Sequence, residues 1–352
     1  MSASYQSVLW NRQKKMYDMI LAGFAVSYIV LFVIITLIVN PEATQETLII
    51  RSTSTLALLL LHIILCIGPL TRLNPVFLPL LYNRRHLGVS MFFIGAIHGI
   101  FSIIQFHSLG NINPILSVFL SNTHYASFVK FPFEIFGFFA LSILFLMAIT
   151  SHDFWLHNLG PKVWKTLHMC VYLAYTSIIL HVLLGVIQYE TSPVLIVLLA
   201  IGLASVVTLH LVASHRERTK DREEFPVSEA FTKVCSVNDI AENRAKVVAL
   251  NGERIAIFRY DKKLSAVSNV CKHQNGPLGE GKIIDGCITC PWHGYQYLPH
   301  NGSSPPPFHE KVATYDVKVI GQEVWVNPLP YAEGTERPPA YINTKDNGKV
   351  VS

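Results

Sequence analysis

Six apolar stretches of about 20 residues each crowd the first 212 positions: Tyr17 to Val39, Leu48 to Leu70, His86 to Phe106, Phe131 to Thr150, Thr166 to Ile187 and Val194 to Val212. Each is long enough to cross roughly 30 Å of hydrocarbon, where backbone polar groups must be satisfied within the segment, so all six are predicted to be membrane-spanning helices. Charge divides the chain in the same place. Of 51 Lys, Arg, Asp and Glu residues, 16 lie between Met1 and His215 and 35 in the last 137 residues. The expected organisation is multi-domain: a six-helix transmembrane bundle over 17–214 after a short N-terminus (1–16), then a charged linker (215–227), a small all-β domain (228–329) and a flexible tail (330–352).

Asn11-Arg12-Gln13-Lys14-Lys15 leads into a first segment too long for a signal-peptide h-region and without a small-residue cleavage site, so that span is expected to be retained. Placing the N-terminus inside leaves twelve Lys and Arg residues near the spans on the cytoplasmic side, and only Arg51 and Lys130 outside. The positive-inside rule then puts both termini and the β domain in the cytoplasm. The net charge of +5 sits in membrane-flanking loops and makes no nucleic-acid footprint. Six cysteines in a chain this long do not form a disulfide scaffold, and Cys66 and Cys170 fall within apolar segments.

Four histidines, His62, His98, His168 and His181, lie well inside the spans, where lipid offers an imidazole no partner. His98 is midway along the third span. His168 and His181 are 13 residues apart on the fifth, roughly 20 Å of helical rise, enough for two porphyrin centres in series. Thirteen residues leave the two imidazoles about 140° apart on an ideal helix, so a bend or π-bulge is expected between them. Arg84, fourteen residues before His98, marks the place of an inner ligand. Glu134 reads either as a relay or as a snorkelling carboxylate.

The segments RRHLGVSMFFIGAIHG (84–99) and ITSHDFWLHNLGPKVWKTLHMCVYLAYTSIILH (149–181) resemble the ferric-reductase-like transmembrane domain, and in particular the haem-binding membrane subunit of bacterial periplasmic methionine sulfoxide reductases. That resemblance implies b-type haem between the third and fifth spans, with His98 and His181 holding an outer haem and His168 an inner one. The related NADPH oxidases have His where Arg84 stands, so the inner partner is open among Arg84, His86 and His62, and one haem or two are both compatible with the sequence. A bacterial inner membrane is the expected location.

In the last 137 residues, short alternating runs such as Arg244 to Leu250, Glu253 to Tyr260, Leu264 to Asn269, Val312 to Val319 and Glu323 to Val326 are split by Asn251-Gly252, Asp261-Lys262-Lys263 and Gly321-Gln322. These are hairpin signals. Among them stand Cys271-Lys272-His273 and Cys290-Pro291-Trp292-His293. Zinc boxes usually pair Cys-x(2 to 4)-Cys with two histidines. Here each loop offers one thiolate and one imidazole instead, so Cys271 and Cys290 can take one iron of a [2Fe-2S] cluster, and His273 and His293 the other. That is Rieske ligation. Residues 228–328 resemble Rieske-type ferredoxins of bacterial aromatic-ring oxygenases. Relative to respiratory Rieske domains, Cys287 has no companion for a loop-stapling disulfide, and Tyr295 replaces a serine that donates to a sulfide. Both changes imply a potential toward the low end of about −150 to +300 mV. Cys235 and Cys287 are expected to be inert thiols, and the tail to be disordered or loosely docked.

The leading functional expectation is a transmembrane electron conduit running from a cytoplasmic donor through the Rieske cluster and b-type haem to an acceptor at or beyond the membrane: ferric chelate, a periplasmic reductase, quinone or oxygen. The sequence carries no G-x-G-x-x-G fingerprint, so a separate NAD(P)H-dependent flavoprotein reductase is inferred as donor. The alternative is a Rieske-coupled membrane non-haem iron hydroxylase or desaturase built on His152-x4-His157 and His210-x4-His215. Against it, no His-His pair and no 2-His-1-carboxylate set is visible. A quinol oxidase of the bc type would need the cluster outside and at high potential, and a redox sensor has little use for a haem ladder.

Overall fold

A computed structural model describes residues 12–81, 83–188, 190, 192–221, 231–273, 275–292, 294–306 and 308–342. The predicted ligand His293 lies outside them, as do 222–230 of the linker region and the tail beyond 342.

The helices are α1 (Arg12–Val39), α2 (Gln45–Leu73), α3 (Leu78–Leu81), α4 (Arg84–His107), α5 (Pro114–Leu120), α6 (Glu134–Ile149), α7 (Asp153–Met169), α8 (Val171–Leu184) and α9 (Pro193–Asp221). Among the described residues, five segments are long and apolar enough to cross a membrane: Lys15–Val39, Gln45–Leu73, Arg84–His107, Val163–Gln188 and Pro193–Thr219. The expected count of six is not confirmed: the fourth stretch forms the shorter, 16-residue apolar helix α6. Its end is set locally. The hydroxyls of Thr150 and Ser151 donate to the carbonyls of Leu146 (2.6 Å) and Met147 (2.7 Å), offering the last turn an alternative to further helix.

Contacts divide the chain into two units, one of Trp10–Gly68 with Asn83–His210, the other including Pro69–Tyr82 and everything from Leu211 onward. In the first, Leu56, Leu60, Leu61, Ala140 and Ala174 are at most 1% exposed, while α1 buries none of its most apolar window. Exposed Ile, Leu, Val and Phe along α1, α4 and α9 are the surface expected where the solvent is hydrocarbon. Arg51 is ion-paired with Glu190, whose side chain is 6% exposed, so the span-end arginine placed outside by charge counting is neutralised.

The fifth predicted span is broken at Cys170, between α7 and α8. The Cys170 N–H donates to Leu167 three residues back (3.1 Å), tightening the turn before Ala174 resumes i→i−4 bonding to Cys170 (2.9 Å). The break falls between His168 and His181, where helical phase required one.

The second unit is the β domain. Its strands are β1 (Thr232–Ser236), β2 (Ala245–Leu250), β3 (Glu253–Tyr260), β4 (Lys263–Ser268), β5 (Lys282–Ile284), β6 (Cys287–Thr289), β7 (Gln296–Tyr297), β8 (Thr314–Tyr315), β9 (Val317–Ile320), β10 (Glu323–Val326) and β11 (Ala340–Tyr341). They form sheets in the orders β1-β10-β9, β11-β4-β3-β2 with β8 also on β4, and β5-β6-β7. The β2–β3 turn is Asn251-Gly252 at φ 50° and 76°, and the β3–β4 turn is Asp261-Lys262 at φ 45° and 59°. Both central residues of each turn sit left-handed, as two-residue hairpins demand. The second turn is one residue shorter than the sequence suggested, because Lys263 already pairs with Tyr260. One core (Ile240, Ile255, Ile257, Leu264, Val324 and neighbours) underlies the larger sheets. Another, with Phe258, Leu278, Ile288 and Tyr297, lies under the cysteine loops.

Two boundary expectations are corrected. Residues 215–221 are not linker but the polar end of α9, where Glu217 and Asp221 grip Arg254 of β3 at 2.7 Å each. Nor is the start of the tail loose: β11 pairs with β4, the Tyr331 hydroxyl and the Arg337 Nε both donate to Asp316 at 2.7 Å, and Arg337 covers the Tyr331 ring at 4.1 Å. An apolar strand pair and a shared carboxylate outweigh the polar composition that suggested disorder.

Candidate redox sites

In the helical unit, His98 of α4 and His181 of α8 face one another, ring centroids 6.4 Å apart and planes at 76°. The Nδ1–H of His98 donates to the Ile50 carbonyl of α2 (3.2 Å), and that of His181 to the Phe133 carbonyl just before α6 (3.0 Å). With each Nδ1 held by a carbonyl from another element, the tautomer is set and Nε2 is left as the lone-pair nitrogen, as is usual where a metal-binding imidazole is oriented by the partner of its other nitrogen. The spacing fits as well. A metal–imidazole bond of about 2.0 Å plus about 1.2 Å from nitrogen to ring centre places a centroid about 3.2 Å on either side of a shared metal. The structure therefore has the donors and spacing for bis-imidazole ligation of haem iron, and Gly137 keeps room for it: a Cβ there would lie 2.8 Å from Cε1 and Nδ1 of His181.

His168 is a second donor of the same kind. Its Nδ1–H donates to the Trp164 carbonyl (3.0 Å), and its buried Nε2 meets no hydrogen-bond partner among the described residues. The Trp164 ring stacks on it at 3.7 Å and 24°, pinned by an indole N–H bond to the Thr150 carbonyl (2.9 Å). This is the physical content of the W-x-x-L-H run. Of the partners considered for it, His86 binds Asp18 through Nδ1 at 2.9 Å. His62 has a buried Nε2 that meets no hydrogen-bond partner among the described residues, edge-on to Tyr175 at 5.5 Å. Arg84 is a guanidinium, a donor without a lone pair, and fits a carboxylate rather than iron. Of the histidines named for the hydroxylase alternative, His210 has both nitrogens engaged, by the Val206 carbonyl (2.8 Å) and the Tyr172 hydroxyl (3.0 Å).

In the β domain the two Cys/His loops share one backbone plan. In each, the cysteine N–H donates to the carbonyl five residues on (Cys271 to Gly276, 2.9 Å; Cys290 to Tyr295, 2.8 Å), and the N–H four residues on returns to the cysteine carbonyl (Asn275, 2.7 Å; Gly294, 2.9 Å). Asn275 and Gly294 take the required left-handed φ, 57° and 75°. The repeat is hidden in the sequence, because one box spaces its histidine by one residue and the other by two. The loops close on each other at Gly276, where a Cβ would stand 2.8 Å from the Cys290 sulfur. Cys271 and Cys290 are buried, at 0% and 1% exposure. Among the described residues no three His, Cys, Asp or Glu side chains converge as a mononuclear metal set; a [2Fe-2S] cluster needs only two protein ligands at each iron. Cys235 and Cys287 are buried, and burial pushes both thiols up.

Two tyrosine roles escaped sequence reading. The Tyr297 hydroxyl accepts the Lys272 N–H (3.0 Å), leaving its proton to the Cys271 sulfur at 3.3 Å. Burial first, and Cys271 second, push its pKa far up, so the donor proton is retained. The signal was present in Tyr295-Gln296-Tyr297, since alternation on a strand sends both tyrosines to one face. The Tyr295 hydroxyl is committed to Glu310 rather than to a cluster sulfide, and its ring lies on His273.

Comparison with known proteins matches residues 53–179 to the Ferric reductase like transmembrane component and 230–316 to the Rieske [2Fe-2S] domain. The biphenyl dioxygenase ferredoxin subunit of Pseudomonas sp. (strain KKS102) is 32% identical over 100 residues, 28% of this chain and 91% of that protein. The anthranilate 1,2-dioxygenase ferredoxin subunit of Burkholderia cepacia is 28% identical over 26% of this chain and 86% of that protein. The protein-methionine-sulfoxide reductase heme-binding subunit of Ralstonia nicotianae is 31% identical over 37% of this chain, which spans about half (55%) of that subunit. Together the two domains imply electron transfer at a membrane, and by its buried cysteine loops and these likenesses the chain belongs to the Rieske [2Fe-2S] family, joined here to a ferric-reductase-like transmembrane domain.

Proposed function

We propose that the chain carries electrons from a cytoplasmic donor, through a Rieske cluster held by Cys271, His273, Cys290 and His293 and through b-type haem, to an acceptor at or beyond the membrane. The observation that carries this reading is the facing pair His98 and His181, 6.4 Å apart with both Nδ1 atoms tied to carbonyls. When bound, haem and cluster supply reversible one-electron chemistry. The residues of the chain do the rest. His98 and His181 present matched neutral imidazoles, a ligand set that need not change between oxidation states. His168, with an oriented ring and a buried Nε2, would hold an inner haem, and Arg84, a guanidinium without a lone pair, would suit a carboxylate of that group rather than its iron.

The proposed topology has six spans, α6 serving as a short fourth, with both termini and the β domain cytoplasmic in a bacterial inner membrane; the clustered basic residues support it. A separate NAD(P)H-dependent flavoprotein reductase is the proposed donor, since the chain carries no dinucleotide fingerprint of its own. The acceptor is a ferric chelate, a periplasmic reductase, quinone or oxygen. The test is a dithionite-reduced minus oxidised spectrum of the purified protein, with haem and iron quantified on the same sample. One or two b-haems with two non-haem irons per chain are expected. Non-haem iron without haem overturns the proposal.

A further inference from the structure

The cluster-binding end of the β domain contains an aromatic arrangement that ligation does not require. The Tyr295 ring lies nearly parallel to the His273 ring, centroids 4.5 Å apart and planes 14° apart. Tyr295 is 5% exposed, and the Phe308 ring closes against it at 4.8 Å. Its hydroxyl donates to Oε2 of Glu310, which also accepts the His309 N–H at 3.1 Å. A phenol hydrogen-bonded to a carboxylate is among the stronger neutral-to-charged contacts, and it moves electron density from the O–H bond into the ring. Glu310, Tyr295 and His273 therefore form a line from a carboxylate, through a buried phenol, to the face of an imidazole.

We propose that Glu310 and Tyr295 act together as positioning residues that hold down the reduction potential of the cluster. The inference rests on the reading of His273 as a cluster ligand. Reduction adds one electron, and so one negative charge, at the imidazole end of this line. A carboxylate at the far end and an electron-enriched ring stacked on the ligand both disfavour that added charge. Hydrogen bonding and charge around the ligands are recognised levers on such potentials. The arrangement goes beyond the loss of a serine donor: the residue at that position supplies an opposing influence of its own.

The experiment is an EPR-monitored redox titration at pH 7 of the full-length protein in detergent, with dithionite as reductant, for wild type, Glu310→Gln, Tyr295→Phe and the double variant. Glu310→Gln keeps an acceptor oxygen and removes the charge; Tyr295→Phe keeps the stacked ring and removes the donor. Each is expected to favour the reduced cluster at least threefold, about 28 mV upward at 59 mV per tenfold for one electron. The double variant should shift little beyond the larger single one, because both break the same line. Unchanged or lowered midpoints with an intact Rieske signal overturn the proposal, as does loss of the cluster from Tyr295→Phe, which would make the tyrosine merely structural. A wild-type protein with no Rieske signal would instead overturn the cluster reading, and this inference with it.

Discussion

Replacing Gly137 by alanine isolates the haem reading from the rest of the protein. The added methyl would stand 2.8 Å from Cε1 and Nδ1 of His181, against 3.4 Å for ordinary contact, so the ring must give way by about 0.6 Å. It has little room to do so. Phe133 packs against it at 5.2 Å, and Gly185, which lies against Phe133, is itself a place where a Cβ would strike the Phe133 ring. Overpacking of this kind costs about 1–3 kcal/mol. Turning the ring away also breaks the Nδ1–H bond to the Phe133 carbonyl, whose loss as an outer partner lowers metal affinity about 10–100-fold. Haem per chain, measured by pyridine haemochrome, is expected to fall toward half of wild type if two haems are held and toward zero if only one is. The Rieske EPR signal should be unaffected. Wild-type haem content with an unchanged reduced spectrum would refute the assignment of His181.

In the β domain, Gly276→Ala should abolish the cluster while leaving haem in place, because its Cβ would enter the space of the Cys290 sulfur at 2.8 Å; iron and EPR analysis read this out. Tyr297→Phe removes the donor to the Cys271 sulfur and should lower the cluster midpoint, the direction opposite to Glu310→Gln, in the same titration. Burial first, and Glu253 second, push Tyr315 from 10.0 up to about 12. Its folded-state pKa is thus raised, so its contribution to stability is complete below about pH 10 and is lost as pH rises through about 12. Melting followed by the visible circular dichroism of the cluster should therefore fall more steeply from pH 10 to 12 in wild type than in Tyr315→Phe. His210→Ala should leave both haem and cluster contents unchanged, since both nitrogens of His210 serve hydrogen bonds.

Much of this architecture is carried by one-dimensional signals. Length and polarity alone oblige a 20-residue apolar run to become a helix in lipid: α2 and α4 lie within three residues of their predicted bounds, while α1 starts earlier and α9 runs on past its apolar stretch to Asp221. Asn251-Gly252 sets a hairpin because its dihedral demand is local, and the two Cys/His boxes declare their chemistry by residue type. What the sequence could not determine depends on partners distant along the chain. Helical phase could say only that a bend was needed between His168 and His181; the break at Cys170 and the carbonyls of Ile50 and Phe133, each 48 residues from the histidine it orients, exist only in three dimensions. The tail looked disordered because composition cannot register that Ala340 pairs with Leu264 or that Arg337 finds Asp316. The shared plan of the cysteine loops and the Glu310–Tyr295–His273 line are likewise tertiary facts. Ligand identity is a property of side chains, whereas ligand orientation and tuning belong to whatever packs around them, and packing is decided by the fold as a whole.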